Sequence, residues 1–126
     1  MAGVALCAIA CAQTYPTRPV RIVVPYAPGG GVDIVARTLG QELTKRLGQQ
    51  IVIENRGGAT GNIGAEYVAR AAPDGYTILM GQASNLTINV SLMSKMPYDP
   101  VKDLAPVTLV ATTPNLLVVH PSLPVR

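Results

Sequence analysis

The spacing of hydrophobic residues predicts a strand followed by a helix near the start of the chain. Residues 20–24 are an apolar run, within which residues 21–24 predict a short, fully buried strand. From Val32 onwards the apolar residues recur every three or four positions, which predicts an amphipathic helix that ends before a left-handed cap at Gly48. Its predicted buried face consists of Val32, Val35 or Ala36, Leu39, Leu43 and Leu47, and its outer face of Arg37, Gln41, Lys45 and Arg46.

Two further strands and a second helix follow in the same order. Residues 50–54 predict a second buried strand and residues 76–80 a third, which begins after a strong turn signal at residues 73–75. The alternation of strands and helices is typical of a parallel sheet with right-handed crossovers. The helix between these two strands has a predicted buried face of Ile63, Tyr67 and Ala71.

The pattern after the third strand predicts one more helix and a pair of strands. Residues 86–96 read as the helix, which Pro97 ends, and residues 107–111 and 116–119 are strand-like. The connection between them is polar and rich in proline.

Glycine-rich turns follow the first two strands, at residues 25–31 and 55–64, and residues 81–85 follow the third. Ligands of parallel sheets bind beyond the carboxyl ends of the strands, where these turns meet. The first N–H groups of a helix lack intrahelical partners and lie at the positive end of its dipole, so the first turn is a candidate anion site. A plain strand-to-helix turn that requires positive φ is the alternative. Asp33 is interpreted as a cap of the helix, because its charge would repel an anion.

Composition narrows the class of protein. With 126 residues, of which 48% are hydrophobic and 13% charged, the chain fits one small globular domain. It contains no Trp and no Phe, so we expect a core of aliphatic side chains. The net charge of +3 is scattered without a basic, aromatic-rich stripe, which argues against a nucleic-acid partner. After the N-terminal segment, no run approaches the roughly 18 apolar residues of a spanning helix, so we expect no membrane-spanning segment.

Residues 1–12 are small and apolar, and we interpret them as the remnant of a secretory signal peptide. Residues 10–12 offer an A-x-A-like cleavage site, so Gln13 is the expected first residue of the mature chain. Both cysteines, Cys7 and Cys11, lie in this segment, so we expect neither a disulfide nor a cysteine metal site in the mature chain. Cys11 lacks the large aliphatic residue that a lipoprotein site has three positions earlier.

Residue patterns of metal sites and enzymes are incomplete in this sequence. His120 is the only histidine and has no cysteine or paired carboxylate near it, so we expect no metal. Residues 58–64 are similar to a dinucleotide turn, but no acidic residue ends the following strand. Tyr98 and Lys102 have a dehydrogenase-like spacing that Pro100 interrupts. We therefore expect no cofactor and no enzymatic activity, with a nucleotide-dependent α/β enzyme of the Rossmann type as the alternative.

Seven stretches of the sequence together carry a family resemblance: residues 15–21, 25–30, 54–56, 61–64, 73–77, 97–100 and 102–107. Taken in this order, they resemble the Bug family of periplasmic solute-binding receptors, which serve tripartite tricarboxylate transporters. The resemblance implies a two-lobed, periplasmic receptor that captures a small carboxylate and delivers it to the membrane subunits of a transporter. It also implies a periplasmic-binding-protein type II-like lobe, a three-layer α/β/α arrangement with a mostly parallel sheet. A small secreted adaptor with this fold but no ligand is a further alternative.

The resemblance also implies where the ligand binds. In the family the first glycine turn lines the pocket and meets a ligand carboxylate through backbone groups and bridging waters. Thr60 departs from the small residue that many relatives have at that position, which leaves the expected fold intact. The candidate ligand-binding residues in this chain are Pro28, Gly29, Gly30 and Gly31, with Ser84 and Asn85 as additional candidates.

Length is the main departure from the family pattern. Bug receptors have roughly 300 residues in two lobes, a two-domain size. We assign residues 13–106 to the N-terminal part of the first lobe and residues 107–126 to crossover strands that lead towards a second lobe. The expectation is therefore an N-terminal fragment whose second lobe is largely missing, from a pseudogene, a partial sequence or a truncated gene model.

Overall fold

The computed structural model describes residues 14–114, 116–120 and 122–123, so the predicted leader lies outside the described residues. Helices and strands alternate along these residues, as the sequence pattern predicts. The elements are β1 (Val20–Val24), α1 (Gly31–Leu47), β2 (Ile51–Asn55), a single 3-10 turn (Ala59–Gly61), α2 (Asn62–Ala69), β3 (Thr77–Leu79), a π turn (Ser84–Ile88) and α3 (Asn89–Leu92).

The three strands form one parallel sheet in the order β2-β1-β3. Ile22 at the centre of β1 lies opposite Ile53 of β2 and Ile78 of β3. Because β1 has a neighbour on each side, its residues 22–24 are almost inaccessible to solvent. The predicted α/β fold class with a parallel sheet is therefore confirmed.

Helix α1 covers one face of the sheet. Ile22, Val24, Ala36 and Met80 form a buried cluster, against which Leu39 and other predicted residues of the helix pack. Side chains alternate along a strand, so Arg21 points to the opposite face, where its Nη1 donates to Tyr67 Oη of α2 at 2.6 Å. The two helices therefore lie on opposite faces of the sheet. Gly48 closes α1 with φ of +67°, the left-handed cap that the sequence predicts.

Helix α2 buries a different face from the predicted one. Ile63 is 51% exposed, whereas Asn62, Gly64 and Ala65 are buried, so the prediction for this helix is wrong at Ile63. The reason is a close approach of backbones: a Cβ at Gly64 would lie 2.7 Å from the carbonyl oxygen of Arg56. Only glycine fits at this contact, which determines the rotation of the helix.

The predictions for the last part of the chain are also corrected. The predicted helix over residues 86–96 begins earlier, as a π turn, and ends at Leu92. No strand is present in residues 107–114 or 116–120, although strands were predicted there. Strands are stabilised by ladder hydrogen bonds and cross-strand contacts, and these extended residues have neither; Val107, for example, is 81% exposed. None of the helices among the described residues is long and apolar enough to cross a membrane.

The segment before β1 makes polar and aromatic contacts with the turn that precedes β3. Tyr15 donates from Oη to the carbonyl oxygen of Gly75 at 2.6 Å, and its ring packs edge-on against Tyr76. Arg18 lies over the Tyr76 ring, 4.0 Å from its centroid, and pairs with Asp74 at 2.7 Å. These contacts lie at the amino ends of β1 and β3, so they hold the sheet from the edge opposite to the glycine turns.

We expect Gly64→Ala to lower the free energy of unfolding by about 1–3 kcal/mol, because the added methyl group meets backbone that cannot move aside. Urea denaturation measures the difference. Gly31→Ala is the matched control: nothing lies within 4 Å of a Cβ at this helix position, so alanine should leave stability unchanged or raise it. A Gly64→Ala protein as stable as the control would refute the close approach.

Candidate functional site

Three loops meet at the carboxyl edge of the sheet, as their positions after β1, β2 and β3 predict. We call residues 25–30, 56–61 and 80–85 the first, second and third edge loops. Tyr26 of the first loop shares a hydrogen bond of 2.5 Å between its Oη and Ser84 Oγ of the third. A Cβ at Gly61 of the second would lie 3.0 Å from both Tyr26 Oη and Asn85 Nδ2. The structure therefore brings residues of all three loops into direct contact.

The predicted glycine turn forms the start of α1. Gly29 has φ of +84°, a conformation that favours glycine, whereas Gly30 is an ordinary extended N-cap with φ of −74°. The helical ladder begins with Ile34 N–H donating to Gly30 O at 3.0 Å, so the N–H of Gly31 precedes the ladder. Residues 28–31 are exposed to solvent. Main-chain donors at the positive end of a 17-residue helix thus face solvent at this edge.

The carboxylate of Asp33 holds the glycine turn in place through hydrogen bonds. This residue is only 3% exposed and its carboxylate accepts three hydrogen bonds. Gly29 N–H and Arg37 Nε each donate to Oδ2 at 2.9 Å, and Asn55 Nδ2 donates to Oδ1 at 2.9 Å. Asn55 Nδ2 also reaches Tyr26 O at 3.2 Å. One carboxylate therefore ties the first edge loop to α1 and to the end of β2.

These donors keep Asp33 charged. The hydrogen bond from Arg37, and after it those from Gly29 and Asn55, hold the pKa of the Asp33 carboxyl well below its usual range. The same contact raises the pKa of the Arg37 guanidinium. The expectation that Asp33 serves the helix start is refined, since it binds the N–H of Gly29, one residue before the N-cap. Arg37 lies on the solvent face of α1, as predicted, and its guanidinium also joins this network.

Asn85 is the most buried polar residue of the candidate site. Its Oδ1 accepts from Gln82 N–H at 2.9 Å, and its backbone oxygen accepts from Tyr98 Oη at 2.5 Å. Its Nδ2 has no hydrogen-bond partner among the described residues. A buried donor without a partner costs about 1–3 kcal/mol of stability. Such unpaired groups are few in native proteins, so this one requires an explanation, and a role in the site is one. Ser84 beside it is reached through Tyr26, so both additional candidates adjoin the first edge loop.

Sequence reasoning missed two residues of this edge. Tyr26 connects the first and third edge loops through its hydroxyl group. Tyr98 is buried and bonds the third loop from the segment after α3. Their signal was present, because each lies in one of the proline-flanked stretches that carry the family resemblance, residues 25–28 and 97–100.

The donors of this edge suit an anion. They are main-chain N–H groups, hydroxyls and amides. The negative charge of the nearby Asp33 carboxylate is balanced by Arg37, and its oxygens already accept from Gly29, Arg37 and Asn55. Within the described residues, no group of three or more His, Cys, Asp or Glu side chains is arranged to hold a metal ion. His120 hydrogen-bonds Ser122 on the exposed last segment.

A groove of about 820 Å³ lies elsewhere, between α2 and the strands. Arg18, Arg21 and Arg70 line it, and each already has an acidic partner: Asp74, Glu54 and Glu66 respectively. Its charges are thus balanced within the fold. The edge loops, with free main-chain donors and an unpartnered amide, are the better candidate for a ligand site.

Comparison with known proteins identifies the chain's relatives. The family described as "Tripartite tricarboxylate transporter family receptor" matches residues 35–126. Protein BugT of Bordetella pertussis is 45% identical over 113 residues, which cover 89% of this chain and 35% of BugT. The chain spans between 32% and 35% of the length of the first curated relatives that it matches.

Solved structures show the same fold. MatC from Rhodopseudomonas palustris with bound malate is 47% identical, with a TM-score of 0.73 over 76% of this chain and 33% of MatC. A second R. palustris protein, solved with adipate, is 40% identical, with a TM-score of 0.61 over 69% of this chain and 29% of that one. The matched part of the chain therefore has the architecture of one section of these larger proteins.

We expect Asp33→Asn to lower the melting temperature at pH 7, because an amide cannot accept from Gly29, Arg37 and Asn55 together. A carboxyl with a lowered folded pKa contributes its full stability above about pH 4, the ordinary aspartate value, and loses it as the pH falls further. The difference between variant and parent should therefore shrink below pH 4. Thermal denaturation across pH 7 to 2.5 measures this.

The control for this titration is Glu42→Gln, which removes an exposed ion pair with Lys45. Such surface pairs contribute little, so its melting temperature should follow that of the parent. A difference for Asp33→Asn that stays constant with pH would contradict the proposed charge of Asp33.

Proposed function

Because this chain belongs to the family of tripartite tricarboxylate transporter receptors, we propose that it serves as a periplasmic solute-binding receptor for a small carboxylate. The observation that carries the proposal is the first edge loop, whose main-chain N–H groups face solvent at the start of α1. Two structural relatives support the ligand class, since one was solved with malate and the other with adipate, both dicarboxylates.

In this proposal a ligand carboxylate lies against Gly30 and Gly31 and accepts hydrogen bonds from the backbone. Pro28 and Gly29 line the path to this position but donate no hydrogen bond to the ligand. Proline carries no N–H, and the N–H of Gly29 is already bonded to Asp33. Ser84 and Asn85 contribute a hydroxyl and an amide from the third edge loop. Uncharged donors bind the anion without the strong desolvation that a buried lysine or arginine would require.

The receptor binds and releases its ligand, and no chemical step is assigned to it. We propose that it works in the periplasm and delivers the carboxylate to the membrane subunits of the transporter. Two structural relatives, a periplasmic transporter and the periplasmic binding protein BugD, support this location. The curated relatives are about three times as long, so the proposal names a class of ligand and not a single member.

The alternative of a Rossmann-type enzyme receives no support from the edge loops. Gly61 of the second loop packs against Tyr26 and Asn85, so side chains already fill the space above this glycine. Tyr98 is buried and donates to a backbone oxygen, whereas Lys102 is largely exposed and pairs with Asp99. The tyrosine and lysine therefore do not form a catalytic pair.

We expect Gly30→Val to weaken malate or adipate binding about ten- to a hundredfold, the effect of losing one charge-assisted hydrogen bond. A Cβ at Gly30 would lie 3.7 Å from Ala27 O, an ordinary contact, and φ of −74° suits valine. The variant should therefore fold normally and block only the approach of the ligand. Isothermal titration calorimetry measures the affinity.

Lys45→Ala is the matched control, since Lys45 lies exposed in the last turn of α1 and pairs only with Glu42 among the described residues. Its affinity should equal that of the parent. Unchanged affinity of a folded Gly30→Val protein would remove the first edge loop from the site.

A further inference from the structure

Two methionine sulfurs lie against one buried amide, that of Asn62. Its Nδ2 donates to Met93 Sδ at 2.8 Å and to Met96 Sδ at 3.7 Å. Its Oδ1 accepts from Asn89 Nδ2 at 2.8 Å, and Tyr98 Oη, whose single proton goes to Asn85 O, lies 3.2 Å from it. Because Oδ1 faces the NH₂ group of Asn89, the NH₂ group of Asn62 is left to sulfur, a weak acceptor.

Asn62 is directly connected to the edge loops. It follows Gly61 of the second edge loop and begins α2. Its partner Asn89 also donates to Thr60 O in that loop, at 3.4 Å. Its other partner, Tyr98, donates to the backbone oxygen of Asn85 in the third loop. A displacement of Asn62 would therefore disturb two of the three loops that form the candidate site.

The side chain of Met93 is more accessible to solvent than that of Met80. Met93 is 41% exposed, and it lines a surface groove of about 550 Å³ together with the half-buried Met96. Met80 is 9% exposed and belongs to the core cluster under α1. Because oxidation of methionine follows exposure, we expect an oxidant in solution to modify Met93 before Met80.

We propose that Met93 is a site of reversible oxidation whose state controls the second edge loop and, through it, ligand binding. The inference rests on the proposed function for its effect on binding. Hydrogen peroxide is the oxidant: the sulfur lone pair attacks one peroxide oxygen, the O–O bond breaks, and the departing hydroxide takes the remaining proton to form water. The sulfur is oxidised to a sulfoxide, and methionine sulfoxide reductases return it to the thioether with two electrons from thiols.

Oxidation changes the contact between Met93 and Asn62. The oxygen forms on the side of the sulfur that solvent reaches, and the bulkier, polar side chain then reorients so that its oxygen, and not its sulfur, accepts from the NH₂ group of Asn62, a residue only 2% exposed. A sulfoxide is also a far stronger acceptor than a thioether, so it competes for the same NH₂ group. Asn62 then loses its alignment with Asn89 and Tyr98. The second edge loop becomes less ordered, and affinity falls by about two- to tenfold, as for the loss of one neutral hydrogen bond.

Peroxide treatment of the purified protein tests the inference. Peptide mass spectrometry should find oxygen on Met93 while Met80 remains unmodified. Hydrogen exchange of the amides of residues 57–61 should then become faster, and the affinity for malate measured by calorimetry should fall. Treatment with methionine sulfoxide reductases should reverse both changes.

Two variants separate the effect of Met93 from general damage. Met93→Leu keeps the volume but cannot be oxidised, so its loop exchange and affinity should no longer respond to peroxide. Met96→Leu is the matched control: its sulfur is the more distant of the two, and the response should persist. Oxidation of Met93 without a change in exchange or affinity would overturn the inference, as would equal reactivity of Met80.

The inference and the proposed function fail in different ways. If the untreated protein binds neither malate nor adipate, the proposed function fails, and the exchange of residues 57–61 alone decides whether oxidation controls the loop. If the untreated protein binds and oxidised Met93 leaves both exchange and affinity unchanged, the proposed function stands and the inference is wrong.

Discussion

The buried carboxylate of Asp33 is the interaction on which the candidate site depends. A turn that contains three consecutive glycines has little conformational preference of its own, and glycine loses more freedom on folding than any other residue. Asp33 removes this freedom by binding Gly29 N–H, while Arg37 and Asn55 hold the carboxylate in place. The N–H groups that follow are thereby oriented before any ligand arrives, which reduces the entropic cost of binding.

Small residues determine how closely the edge loops approach one another. Gly64 lets α2 rest on the backbone at Arg56, and Gly61 leaves room for the Tyr26 hydroxyl and the Asn85 amide. The same packing explains why polar groups are buried at this edge: Asn62 and its partners satisfy one another as a connected network. Such a network favours one arrangement of the loops that it joins.

The sequence was most informative where structure depends on local periodicity. Helix α1 from Val32 to its cap at Gly48 follows from spacing alone, and the meeting of the loops follows from a parallel sheet. Contacts between distant residues could not be predicted. The rotation of α2 depends on a backbone at Arg56. Arg37 is exposed, as predicted, but its hydrogen bonds to Asp33 and Asn55 join residues whose proximity the spacing does not reveal. Residues 107–111 have the composition of a strand, but a strand forms only beside a partner.

We propose that a carboxylate accepts hydrogen bonds from the main chain at the start of α1. Titration of ¹⁵N-labelled protein with malate, followed by amide chemical shifts, tests this binding mode most directly. We expect the largest downfield amide proton shifts at Gly30 and Gly31, with Gly48 and Gly75 at remote turns unchanged. Shifts confined to the groove around Tyr67, or an unmoved Gly30 and Gly31 under saturating malate, would contradict it.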